Sequence, residues 1–80
     1  MSTEAAIRNF ILENYLFTDD QSALSSEDSF LEKGILDSTG ILEVIYFLEN
    51  SFGIKINDEE MIPENLDSVN NIVAFVRRKA

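Results

Sequence analysis

The sequence predicts an all-α fold with three main helices, one short helix and one long loop. Only one Pro and three Gly interrupt eighty residues, and these two residue types are the strongest breakers of regular structure. No stretch alternates apolar and polar residues up to a hairpin dipeptide such as Asn-Gly, so strands are not indicated. Apolar residues recur instead at helical spacing. A chain of this length is expected to form a single domain, residues 1–80.

Helix one is predicted from about Thr3 to about Leu16. Ser2 or Thr3 can cap its N-terminus, and Glu4 in the first turn complements the helix dipole. Most of its apolar residues gather on one side at helical spacing, namely Ala6, Ile7, Phe10, Ile11 and Phe17. Leu12 and Leu16 fall off this stripe.

A long loop is predicted from about Thr18 to Asp37, followed by helix two from Ser38 to about Phe52. Such a loop must be anchored to the core, and the expected anchors are Phe30, Leu31, Ile35 and Leu36. Gly53 is a favoured residue just past a helix end. The core face of helix two spans one third of its circumference and holds Ile41, Val44, Ile45, Leu48 and Phe52. Phe47 is expected at one border of this face, under the long loop.

The remainder of the chain predicts one short helix and one final helix. Ile54 and Ile56 are candidate core contacts in the connection after helix two. Asn57 or Asp58 is expected to cap a short third helix that ends at Pro63. The last helix begins near Ser68, and its expected buried stripe is Val69, Ile72, Val73 and Val76. Its last turn holds cations that the helix dipole favours, namely Arg77, Arg78 and Lys79.

Composition excludes several classes of catalytic and metal site. The chain has no Cys and no His, which removes disulfides, Cys/His zinc sites and catalysis by a thiol or imidazole. The acidic cluster Asp58, Glu59 and Glu60 is expected at a helix start, where anions complement the dipole. No segment has the spaced ligands of a calcium loop. We therefore expect no metal site and no enzymatic activity.

The charge and hydropathy of the chain bear on its partners. The net charge is −9, which disfavours binding to nucleic acid and to anionic membranes and favours partners with basic docking surfaces. That the charge serves solubility alone is an open alternative. No apolar stretch approaches about 18 residues, and no positively charged stretch leads into an apolar run at the N-terminus. We expect a cytoplasmic protein that does not enter a membrane and is a monomer.

Asp37 and Ser38 lie between an ordered loop and an amphipathic helix. One interpretation is that either residue is only an N-cap, worth about 1 kcal/mol. A second is that Ser38 carries a phosphate-linked group, since a phosphate there would meet unpaired backbone N–H groups and the positive end of the helix dipole. The residues alone leave both interpretations open.

The order of these elements resembles the acyl and peptidyl carrier protein family along essentially the whole chain. A first helix and a long loop precede a helix that opens with Asp37-Ser38 and closes with Leu48-Glu49-Asn50-Ser51-Phe52-Gly53-Ile54. The resemblance implies a four-helix carrier-protein bundle whose Ser38 receives 4′-phosphopantetheine from coenzyme A, with Asp37 as its neighbour in the motif. A separate phosphopantetheinyl transferase would attach the arm with magnesium. The thiol of the arm would then hold the cargo as a thioester.

The motif departs from that of fatty-acid-synthesis carriers, which usually read Asp-Ser-Leu-Asp. This chain reads Asp37-Ser38-Thr39-Gly40, and Gly40 removes a side chain beside the attachment point, where we expect the arm or a partner to approach. Together with Pro-Glu-Asn-Leu-Asp-Ser (63–68), this motif is similar to that of stand-alone carriers loaded by adenylate-forming ligases. Such carriers pass acyl or aminoacyl groups to a downstream transferase. A carrier of fatty acid or polyketide synthesis is the first alternative. An acidic helical adaptor without covalent cargo is the second.

The outward side of helix two is the predicted docking face. Tyr46 lies nearly opposite the core face, beside residues of mixed character, namely Thr39, Leu42, Glu43 and Glu49. Leu42 and Tyr46 would supply apolar contact, while the two glutamates would meet basic residues of the transferase or ligase. The family resemblance implies the same, because such carriers present helix two to their partners. Isolated exposed apolar residues are also common without any function.

Overall fold

A computed structural model describes residues 3–79 and is all-helical over that range. Its α-helices are α1 (Thr3–Ile11), α2 (Phe30–Lys33), α3 (Ser38–Phe52), α4 (Pro63–Leu66) and α5 (Val69–Lys79). A π-helical turn, Leu12–Leu16, extends α1, and 3-10 turns lie at Gln21–Ala23 and Asp58–Glu60. The predicted all-α class and its three main helices, now α1, α3 and α5, are confirmed. The proposed cap Ser2 lies outside the described residues, within which no helix is long and apolar enough to cross a membrane.

The core lies where the apolar faces of α1, α3 and α5 meet. The predicted stripe of α3 is confirmed, with Val44, Ile45 and Leu48 buried and Ile41 and Phe52 packed at its margin. The predicted stripe of α5 is also confirmed, and Phe75, which the helical pattern missed, is buried beside it. Burying an aliphatic side chain of this size stabilises a fold by about 1.5–3 kcal/mol, so these faces hold the bundle together.

The end of helix one differs from its prediction because the helix widens into a π-helical turn. Leu12, which lay off the predicted stripe, is buried at the start of this turn. Phe17 takes a left-handed conformation (φ 53°), and the N–H groups of Phe17 and Thr18 both donate to the Leu12 carbonyl. The chain therefore turns outward at Phe17, whose side chain is 83% exposed. Its predicted place on the apolar stripe was wrong.

The contact between α1 and α3 is aromatic. The ring of Phe47 stacks on that of Phe10, with 4.2 Å between centroids, and meets Phe52 edge-on at 6.2 Å. Offset stacking and edge-on contact are the favoured geometries of aromatic pairs. The prediction that Phe47 packs under the long loop was wrong, because α1 occupies that position.

The long loop is anchored by apolar and polar contacts. Phe30 and Leu36 are buried as predicted, and so is Leu24, which was not predicted. Leu31 is 51% exposed, so its predicted anchoring role was wrong. The reason is α2, which turns Phe30 and Leu31 to different sides of one short helix. Ile35 packs at the margin of the core.

Arg8 of α1 fixes the first half of the loop. Its guanidinium donates to the carbonyls of Gln21 (2.7 Å) and Leu24 (2.5 Å) and to the Ser26 hydroxyl (2.8 Å). These charge-assisted hydrogen bonds from one cation satisfy backbone and side-chain acceptors of the loop. The first half of the loop is thus tied to helix one.

The predicted third helix is divided into two short elements. Asn57 precedes the first, Asp58–Glu60, and its N–H donates to Glu60 Oε1 (3.0 Å). Pro63 begins α4 instead of ending a helix, which corrects the prediction. Proline suits the first helical position because its φ is already helical and its missing N–H would have no partner there.

The last turn of α5 is tied back to this segment. The ammonium of Lys79 lies 2.8 Å from Glu60 Oε1, and its hydrogen bond lowers the pKa of Glu60. Ile56 is buried as predicted and Ile54 packs partly against the core.

Candidate functional site

The start of α3 leaves the hydroxyl of Ser38 free. Asp37 is the N-cap, and its carboxylate accepts the N–H of Gly40 at 2.8 Å. Ser38 is the first residue of α3 and is exposed. Its hydroxyl has no hydrogen bond within residues 3–79. Since capping is done by Asp37, the Ser38 hydroxyl is available to a partner at the positive end of the helix dipole.

An apolar groove of about 330 Å³ lies beside Ser38, between α3 and the segment around α4. Ser38 and Asp67 supply polar atoms on its rim, and the other lining residues are apolar, namely Leu31, Ile41, Leu42, Ile45, Met61, Ile62, Pro63 and Leu66. Leu31, Leu42 and Ile62 are among the most exposed large apolar residues of the described chain. The groove and its rim therefore form an apolar surface that starts at the serine.

Asp67 holds the far wall of this groove. Its carboxylate accepts from the Ser29 hydroxyl and from the Leu31 N–H (3.1 Å), while its carbonyl accepts from the Phe30 N–H (2.7 Å). These bonds lock α2 against the end of α4. Sequence analysis missed Asp67, because its partners lie more than thirty residues away along the chain.

Gly40 faces the interior of the bundle, which corrects the expectation that an arm or partner approaches there. It is buried, and a Cβ at this position would lie 3.0 Å from Leu36 Cδ2 and 3.4 Å from Tyr15 Cε1. The missing side chain thus lets helix one and the loop pack closely against the first turn of α3. Closer packing compensates for part of the roughly 1 kcal/mol that Gly costs inside a helix.

The predicted docking residues lie on the outward side of α3, with one difference in detail. Leu42 and Tyr46 are 60% and 70% exposed, and Thr39 and Glu43 are exposed as well. Glu49 is half-buried, and its carboxylate accepts the Ile56 N–H at 3.0 Å. One oxygen of Glu49 therefore has a structural role in fixing the connection after α3.

Tyr15 joins this side of the molecule from helix one. Its hydroxyl donates to Glu43 Oε2 at 2.8 Å. Burial, followed by the hydrogen bond and charge of Glu43 and the charge of Asp37, raises the pKa of Tyr15 to about 12. The phenol is therefore protonated, and able to donate, throughout the physiological range.

Comparison with known proteins gives consistent relatives, although no protein-family model matches the chain. The chain is similar to the D-alanyl carrier protein of Streptococcus uberis, with 44% identity over 62 residues, 78% of this chain and 77% of the relative. It is 37% identical to that of Streptococcus suis over 76 residues, 95% of this chain and 92% of the relative. It is 40% identical to that of Streptococcus pyogenes over 61 residues, 76% of each chain.

The helical fold and these relatives define a carrier protein, a class of protein that is not catalytic. More narrowly, the chain belongs to the D-alanyl carrier protein family, the stand-alone carriers of the phosphopantetheine-binding proteins. The family resemblance found in the sequence is confirmed. Proteins of this family are generally modified with phosphopantetheine.

Proposed function

We propose that Ser38 carries a covalent 4′-phosphopantetheine arm on which the chain shuttles an aminoacyl group between enzymes. The observation that carries this proposal is the exposed Ser38 hydroxyl, left without a hydrogen bond because Asp37 caps α3 in its place. The names of the relatives point to D-alanine as the cargo. The chain has no Cys, and the arm would supply the thiol that holds the cargo as a thioester.

The residues around Ser38 fit such an arm. Ser38 would provide the oxygen of the phosphodiester, and the first turn of α3 would offer N–H groups and a positive dipole to the phosphate. Asp37 caps the helix by accepting the N–H of Gly40, and this hydrogen bond keeps the first turn formed. The apolar groove starts at Ser38, so the arm would leave the serine along a surface that is already in place.

The partners of this carrier would be a phosphopantetheinyl transferase, an adenylate-forming ligase that loads the arm, and a transferase that unloads it. Leu42 and Tyr46 offer apolar contact near Ser38. The exposed Thr39 and the acidic Glu43 and Glu49 lie on the same helix. Acidic residues around an apolar patch favour partners whose docking surface is basic. The strongly negative net charge would speed the encounter.

The alternative carrier function is in fatty acid or polyketide synthesis. It predicts loading with acyl groups and none with an amino acid. Offering the modified chain to D-alanine-activating and acyl-activating ligases in parallel separates the two. Loading by acyl ligases alone would contradict the aminoacyl proposal.

The attachment itself is tested by intact mass. With coenzyme A, magnesium and a promiscuous transferase, the wild-type chain should gain one phosphopantetheinyl increment and Ser38→Ala should gain none. The matched control is Ser51→Ala, an exposed serine at the other end of α3, which should be modified as wild type. Both variants should keep their helical circular dichroism. Modification that persists in Ser38→Ala, or that never occurs in wild type, would refute the proposal.

A further inference from the structure

Glu43 is the only residue of the predicted docking face whose side chain forms a hydrogen bond to helix one in the described structure. Its Oε2 accepts the hydroxyl of Tyr15 at 2.8 Å, and its Oε1 has no hydrogen bond within residues 3–79. An exposed glutamate without such a partner samples many rotamers. Here one oxygen is held and the other is left open to a donor from outside.

The position of Tyr15 depends on three features of the fold. Tyr15 lies in the π-helical turn that ends helix one, and this turn directs its ring toward α3. The ring approaches the first turn of α3 where Gly40 has no side chain. It also meets Phe10 edge-on, with 6.0 Å between centroids. Tyr15 is therefore held from several sides, and its hydroxyl is a fixed donor.

We propose that Tyr15 is a positioning residue for partner recognition, which holds the Glu43 carboxylate in one orientation on the docking face near Ser38. The proposal rests on the proposed carrier function. A carboxylate fixed before docking meets an arginine or lysine of the partner without a further loss of rotamer freedom. Such preorganisation acts on binding and leaves the chemistry at Ser38 unchanged.

The test is the kinetics of Ser38 modification by the transferase. Tyr15→Phe keeps the ring and removes the hydroxyl, and it should raise KM for the carrier roughly two- to tenfold, the effect of ordering one long side chain. The value of kcat should stay within error of wild type, because the Tyr15 hydroxyl does not touch Ser38. The melting temperature should change little, since a single partly exposed hydrogen bond contributes little to stability.

A second variant leaves helix one untouched. Glu43→Asp keeps the charge but shortens the side chain by one methylene, so the carboxylate no longer reaches the Tyr15 hydroxyl. It should raise KM as Tyr15→Phe does. This second variant tests the proposal even if Tyr15→Phe folds poorly.

A double-mutant cycle separates positioning from general weakening. Tyr15→Phe should add nothing to Glu43→Gln, because the carboxylate that it positions is already gone. The matched control is Glu13→Gln, an exposed glutamate in the same turn as Tyr15, whose effect should add to that of Tyr15→Phe.

Each outcome of these experiments supports or refutes the proposal. The positioning proposal would be overturned by an unchanged KM in both Tyr15→Phe and Glu43→Asp, or by full additivity of Tyr15→Phe with Glu43→Gln. In either case, modification of the wild-type chain would still support the carrier function. Absence of any modification of wild type would overturn both.

Discussion

The two sides of α3 carry the same kinds of residue with opposite consequences. Leu48 on the inward side is fully buried, whereas Leu42, six residues earlier on the same helix, is 60% exposed. Aromatic residues divide in the same way, with Phe47 stacked on helix one and Tyr46 70% exposed. One helix thus provides the centre of the core and the proposed docking face.

The difference shows that position on the helix, and not hydrophobicity, decides what an apolar residue of α3 does. Inward residues exchange water for close packing, which stabilises the fold. Outward residues bury less of their surface on folding, so their main effect is expected in complexes. Substitutions on the two sides should therefore separate stability from partner recognition.

The largest expected effect is on stability and compares the two leucines. Leu48→Ala should lower the free energy of unfolding by about 2–5 kcal/mol, because it leaves a cavity in the core. The same substitution at Leu42 should change it by less than about 0.5 kcal/mol and should instead raise KM for modification of Ser38. Urea unfolding and transferase kinetics measure both quantities. Equal losses of stability in the two variants would remove the distinction between the two sides.

A smaller effect concerns the alkaline titration of Tyr15, at the junction of helix one and the outward side. Its pKa is raised from 10.0 to about 12, so the folded state favours the protonated phenol. The stability that this contributes is complete below about pH 10 and is lost as the pH rises through about 12. Ultraviolet titration should show a tyrosine that ionises near pH 12 and disappears in Tyr15→Phe. Glu43→Gln should move it toward 10, and an unmoved titration would contradict the contact.

The smallest expected effect is that of salt, which acts on exposed charges and spares the core. The fifteen acidic residues outnumber the six basic ones and repel one another across a small surface. Salt screens this repulsion, with a Debye length of about 10 Å at 0.1 M. The melting temperature should rise from low to moderate salt by a similar amount in wild type and in Leu48→Ala. A flat or falling melting temperature would show that surface repulsion is not a significant cost to this fold.

Local signals were sufficient for the main helices. Gly53 ends α3 in the left-handed conformation (φ 66°) that glycine favours, and Asp37 caps its start. The stripe of α5 followed from helical periodicity, because burial of one face repeats every three to four residues. The motif around Ser38 could be placed at a helix start on the same grounds.

Contacts between distant segments decided the rest. Nothing within helix one's own sequence requires its π-helical turn, which exposes Phe17 and brings Tyr15 against Gly40. Asp67 fixes one wall of the groove by accepting a hydrogen bond from α2. Sequence by itself determined the class of fold, the main helices and the place of Ser38 at a helix start. Only the tertiary structure decided the groove, the contacts around Gly40 and the hydrogen bond from Tyr15 to Glu43. Each of these depends on atoms from elements far apart in the chain, whereas helical periodicity reports only which faces of a single element are apolar.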